Sequence, residues 1–74
     1  MARNFVAITQ KDKESGMYFG IFPGISGAHT EAETIGELQV RLREVLELCL
    51  EEMDAEEIEL LPEFTGNIQI AVNI

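Results

Sequence analysis

The sequence predicts an α+β domain of two layers, β-β-β-α-β, in which an antiparallel meander and a fourth strand form a small sheet and one long helix covers one face of it. Three observations predict it. Short β-branched and aromatic runs separated by turn residues occupy residues 4–30. One stripe of apolar residues at steps of three and four then runs from 35 to 53, and an unbroken apolar–polar alternation fills 67–74. At 74 residues the chain makes a single domain, 1–74, with no internal repeat, linker or low-complexity segment.

Residues 4–11 read as the first strand, with Phe5, Ala7 and Thr9 on one side and Val6, Ile8 and Gln10 on the other. Both sides begin apolar, which suits a central strand. The polar run 11–16 ends in Gly16 and suits a hairpin longer than two residues. Residues 17–22 form the second strand, with Tyr18, Gly20 and Phe22 on one side and Met17, Phe19 and Ile21 on the other. Pro23 ends it, since it has no N–H for a ladder, and Pro23-Gly24 is a type II turn signal. Residues 25–30, interrupted by Gly27, hold a short third strand at a sheet edge.

Thr34 and Glu37 carry a capping-box pattern, in which each side chain reaches the other's backbone N–H. The helical stripe that follows is Ile35, Leu38, Leu42, Val45, Leu46, Cys49 and Met53. Val40, Leu48 and Leu50 lie off it and suit contact with another subunit. Asp54 and Glu57 repeat the capping pattern for a short second turn, which Pro62 closes. In the fourth strand Ile68, Ile70, Val72 and Ile74 face the core, while Asn67, Gln69, Ala71 and Asn73 face out. The third strand, the helix and this strand make a right-handed crossover. The sheet face away from the helix is left uncovered, so it is either polar or an interface.

Composition narrows the function. At 46% hydrophobic and 26% charged residues, the chain is globular and not disordered. No apolar run approaches a membrane span, and no apolar signal region follows Met1-Ala2-Arg3-Asn4. The single thiol, Cys49, and the absence of an export signal suggest the cytoplasm of a prokaryote or an equivalent reducing compartment. Fourteen acids stand against five Lys and Arg, a net charge of −9. Residues 31–63 hold 12 acids and 2 bases, which repels phosphate and argues against direct nucleic-acid binding. The same acids solubilise the helix or steer a basic protein partner. Burial on folding supplies about 110 kcal/mol at ~25 cal/mol per Å², and ordering the chain costs about the same. A lone monomer is therefore marginal, and a homodimer or higher homo-oligomer is expected.

No constellation of catalytic residues emerges. His29, the one histidine, has Ser26 and Glu31 near it in sequence, but these form no known triad. Cys49 lies within the apolar stripe and reads as a small buried hydrophobe. Asp54, Glu56, Glu57 and Glu59 lack the glycine and loop pattern of a cation site. Gly20, Gly24 and Gly27 make no phosphate loop, because no Lys-Ser/Thr pair follows and the next helix opens with acids. Tyr18, Phe19 and Phe22 lack interleaved bases, so they read as packing rather than as a nucleobase platform. The expectation is no enzyme, no cofactor and no metal.

The run from Gly16 to Gly27, with Gly-Met-Tyr-Phe-Gly leading to Phe22-Pro23 and then Gly24, resembles the HicB-like antitoxin family. The stretch His29 to Leu38 is similar to that family's Thr-x-Gly-Asp-Thr-x-Glu-Glu-Ala segment, and Leu61-Pro62-Glu63 to its Ile/Leu-Pro element before the last strand. Ala32 in place of Gly, and Gly36-Glu37-Leu38 in place of Glu-Glu-Ala, depart from the pattern at the start of the helix. The resemblance implies a partial ribonuclease H-like fold without its metal-binding acids, since residues 4–10 hold none. It also implies a stand-alone counterpart of the family's N-terminal module, lacking the DNA-binding segment. The implied partner is a HicA-like toxin, a small basic ribonuclease that the protein neutralises. Tyr18, Phe22 and Pro23 are the expected apolar contacts, and Glu31, Glu33 and Glu37 the acids that steer the toxin in. The alternative is an orphan self-assembling scaffold or adaptor of the same fold with no toxin.

Overall fold

A computed structural model describes residues 3–74. The elements run β1 (Ile8–Lys11), β2 (Tyr18–Ile21), β3 (His29–Ala32), α1 (Ile35–Glu52) and α2 (Ala55–Glu59). The strands form an antiparallel sheet in the order β1-β2-β3. The domain is thus α+β, with α1 packed across β2 and β3 on one face.

Turn chemistry sets the meander. Asp12 accepts from the Ser15 N–H and hydroxyl at 3.2 and 2.7 Å, and Gly16 closes the turn at φ +76°. Gly24 at φ +84° follows Pro23, as a type II turn requires. The Phe22 N–H donates to the Ala28 carbonyl at 2.9 Å, so residues 23–27 fold into a tight loop. The third strand begins only after it, at His29 rather than Ile25.

The α1 N-cap is half the predicted box. Thr34 Oγ1 accepts from the Glu37 N–H at 3.1 Å, while among the described residues no return bond from the Glu37 carboxylate is made. The Asp54–Glu57 box is complete at the start of α2. The core is Phe22, Ile25, Ala28, Ala32, Leu38 and Leu42. Phe5, Ala7, Tyr18, Val45, Leu46, Cys49, Met53 and Leu61 pack against it, half-buried. The layers meet tightly at Gly20: a Cβ there would lie 2.8 Å from Leu42 Cδ1.

Two expectations are corrected. β1 is the edge of the sheet, not a central strand, because it pairs with β2 alone. Residues 67–74 form no fourth strand: every one of them is exposed and none joins a ladder. The segment starts beside β1, where Asn67 Nδ2 donates to the Ala7 carbonyl at 3.2 Å and the Phe5 and Phe64 rings meet at 5.5 Å. Beyond Asn67 the chain leaves the β1 edge, and residues 68–74 pair with no strand among the described residues.

Candidate protein-binding face

Register determines which side chains face away from α1. Ile8 stands opposite Ile21, and Ile21 opposite His29; Gln10 stands opposite Phe19, and Phe19 opposite Glu31. These two cross-strand rows lie on the face opposite Gly20 and Ala32, which turn toward the helix. Ile8, Phe19 and Ile21 remain 42–48% exposed. With Gln10, His29, Thr30 and Glu31 they line an open hollow of about 710 Å³. An apolar floor with a polar rim is the make-up of a protein-contact surface.

The sequence-predicted contact residues divide between the two faces and the loops. Phe22 is 6% exposed with its ring inside the core, whereas neighbouring Phe19 and Ile21 are exposed on the open face. Tyr18 is half-buried on the helix side, with the Lys11 ammonium 5.3 Å from its ring centre. Pro23 is exposed at the turn. Glu31 sits on the open face at the rim of the hollow, and its backbone carbonyl accepts from Arg41 Nη1 at 2.8 Å. Glu33 and Glu37 are exposed at the start of α1. Only Glu31 of the six lines the hollow. Gly20 was the signal that separates the faces: a glycine between Tyr18 and Phe22 marks the side that a helix approaches.

The other singled-out groups fall outside the face or at its rim. His29 is exposed at the rim. Cys49 is half-buried, and its Sγ lies 3.8 Å from the Ser26 carbonyl. Among the described residues no group of three His, Cys, Asp or Glu is placed to hold a metal ion, and no helix is long and apolar enough to cross a membrane. Among the described residues the one carboxyl held clearly below its ordinary range is Asp12, chiefly by the Ser15 hydroxyl hydrogen bond and then by the Ser15 N–H. The bonds it accepts hold the turn between β1 and β2, next to Gln10 and Phe19 at one end of the open face.

Over 70 residues the chain is 39% identical to UPF0150 protein ssr1258 of Synechocystis sp., an alignment that covers 95% of this chain and 96% of the relative. It is 44% identical over 48 residues to a UPF0150 protein of Thermotoga maritima, covering 65% of this chain and 64% of that one. It is 40% identical over 47 residues to a UPF0150 protein of Archaeoglobus fulgidus, covering 64% and 67%. No family model and no solved structure matches the chain.

Proposed function

The chain belongs to the UPF0150 family, and on that premise we propose that it is a non-catalytic protein-binding module of the HicB-like antitoxin kind, acting in the cytoplasm on a small, basic HicA-like ribonuclease toxin. The observation that carries this reading is the open sheet face: Ile8, Phe19 and Ile21 exposed together, with Glu31 at the rim and the acidic helix behind. An apolar patch of this kind supplies contact energy, mostly through its aromatic and branched side chains. The 12 acids of residues 31–63 supply the long-range attraction that brings a basic protein to it. A basic toxin covering the hollow would bury the apolar floor and pair a base with Glu31 at the rim. The family resemblance around Gly16–Gly27 supports the same assignment.

Co-expression tests it. A HicA-like toxin encoded beside this gene should arrest growth alone, and this chain should restore growth and co-purify with the toxin. Reversing Glu31, Glu33 and Glu37 together should slow association and flatten its salt dependence, because steering sums over charges. Continued arrest with no complex in the pull-down would overturn the antitoxin reading. A second reading, a self-assembling scaffold of the same fold, is favoured by the exposure of residues 67–74. It predicts that the chain recovers only copies of itself.

A further inference from the structure

The geometry points to a reciprocal strand exchange between two copies of this chain: residues 67–74 of each add to the β1 edge of the other and fill the cleft between that edge and α1. Four observations meet here. Ile68, Ile70, Val72 and Ile74 alternate with Asn67, Gln69, Ala71 and Asn73, so an extended segment has one apolar and one polar side. Its apolar side is in water: Ile68 is 89%, Ile70 79% and Val72 71% exposed. The acceptor is β1, an edge strand with no strand on its outer side among the described residues. Beside that edge lies a cleft of about 560 Å³, walled in equal parts by apolar residues, Phe5, Ala7, Phe22, Leu42 and Leu46, and by polar and charged ones such as Arg43. A cleft of this mixed make-up next to an open edge suits a strand with one apolar and one polar side, as the fourth strand of this sheet would be.

The chain does not fill its own cleft. Asn67 is tied to Ala7 at the start of the edge, and Gly66, at φ +145°, holds a backbone conformation that side-chain-bearing residues rarely adopt. Beyond Asn67 the seven remaining residues reach roughly 23 Å at about 3.3 Å each. The molecule is drawn out accordingly, to 42 × 26 × 20 Å, with a radius of gyration of 13.9 Å against about 11 Å for a compact domain of this length. Its surface of 6292 Å² exceeds the roughly 4,600 Å² of a compact protein of 8.3 kDa by about 1,700 Å². Two chains burying that excess together fall in the range of obligate homodimer interfaces, about 2,000–5,000 Å². Exchange of identical segments makes a two-fold, self-complementary contact that closes on itself. This interface uses the β1 edge and the helix side of the sheet, so it stands or falls independently of the toxin reading.

The test uses the full chain. Light scattering at micromolar concentration should give the mass of a dimer. A dimer assembled from equal parts ¹⁵N-labelled and ¹³C-labelled chains should show isotope-filtered contacts between the Ile68 and Ile70 methyls of one copy and Ala7 and Leu46 of the other. Ile70→Lys with Val72→Lys should raise the dimer dissociation constant by at least about 100-fold, since each segment loses buried branched carbon and gains charge. A monomeric mass, or contacts found only within one chain, would overturn the proposal. So would a folded lysine variant that dimerises as tightly as the parent.

Discussion

Adding one methyl group at Gly20 measures how tightly the two layers meet. The new Cβ would stand 2.8 Å from Leu42 Cδ1, 2.9 Å from Cδ2 and 3.2 Å from Cγ. Both methyls are the far end of a side chain, but Leu42 is 7% exposed and belongs to the same cluster as Phe22, Ala32 and Leu38. Rotating it away from residue 20 drives it into those neighbours. Overpacking of this sort costs about 1–3 kcal/mol. The reduced freedom of the unfolded chain returns up to about 1 kcal/mol for Gly→Ala. Gly20→Ala should therefore destabilise by about 1–2 kcal/mol, a fall in Tm of roughly 5–15 °C for a domain this small. Leu42→Ala alone should cost about 2–5 kcal/mol. In that background the opposing methyls are gone, so Gly20→Ala should be neutral or stabilising, with a coupling of at least about 1 kcal/mol. Urea unfolding of the four proteins at one fixed concentration reads the cycle, the concentration held because self-association adds to apparent stability. A neutral Gly20→Ala in the parent, or the same cost in both backgrounds, would refute the packing described for this contact.

Leu38 is 1% exposed, so Leu38→Ala should lose about 2–5 kcal/mol in the same assay. Thr34→Ala removes the hydroxyl that accepts from Glu37 and should cost about 1 kcal/mol, with α1 fraying at its start as read by amide hydrogen exchange. Ser15→Ala should raise the Asp12 carboxyl toward its ordinary value, followed by carbon NMR through a pH titration. Because the folded carboxyl titrates low, its contribution is present above the unfolded value near pH 4 and is lost as pH falls through the folded one. The Ser15→Ala protein should therefore differ least from the parent at the most acid end of the titration.

Local chemistry was the legible part of this fold. The Asp54–Glu57 box, the Gly24 turn and the 3–4 spacing of Leu38, Leu42, Val45 and Leu46 each depend on residues within a turn of one another, and each appears where the pattern puts it. The third strand was displaced because the loop from Pro23 to Gly27 is fixed by a bond between Phe22 and Ala28, which no propensity scale contains. The place of β1 at the edge and the missing ladder at 67–74 are non-local. Alternation announces that Ile68–Ile74 will lie in a sheet, but it does not say whose. The facing of the rings was not legible for a related reason: Tyr18 and Phe22 are as conspicuous as Phe19 in the sequence, yet the parity set by Gly20 turns both toward α1 and leaves Phe19 outside.

Charge and exposed strand answer one another in this chain. Residues 64–74 carry no charge and no proline, so the segment lacks the devices that keep an apolar alternating strand from pairing at random. Left open, such a strand beside an unpaired β1 edge would build head-to-tail chains. A net charge of −9 on 74 residues opposes indefinite growth, because each added copy meets the summed repulsion of those already there. A two-fold exchange satisfies both demands. It pairs both edges, buries both segments, and brings together only two acidic bodies, held apart by the span of the segments themselves. The acids of residues 31–63 that oppose further copies are then the same ones that, on the proposed reading, would draw in a basic protein.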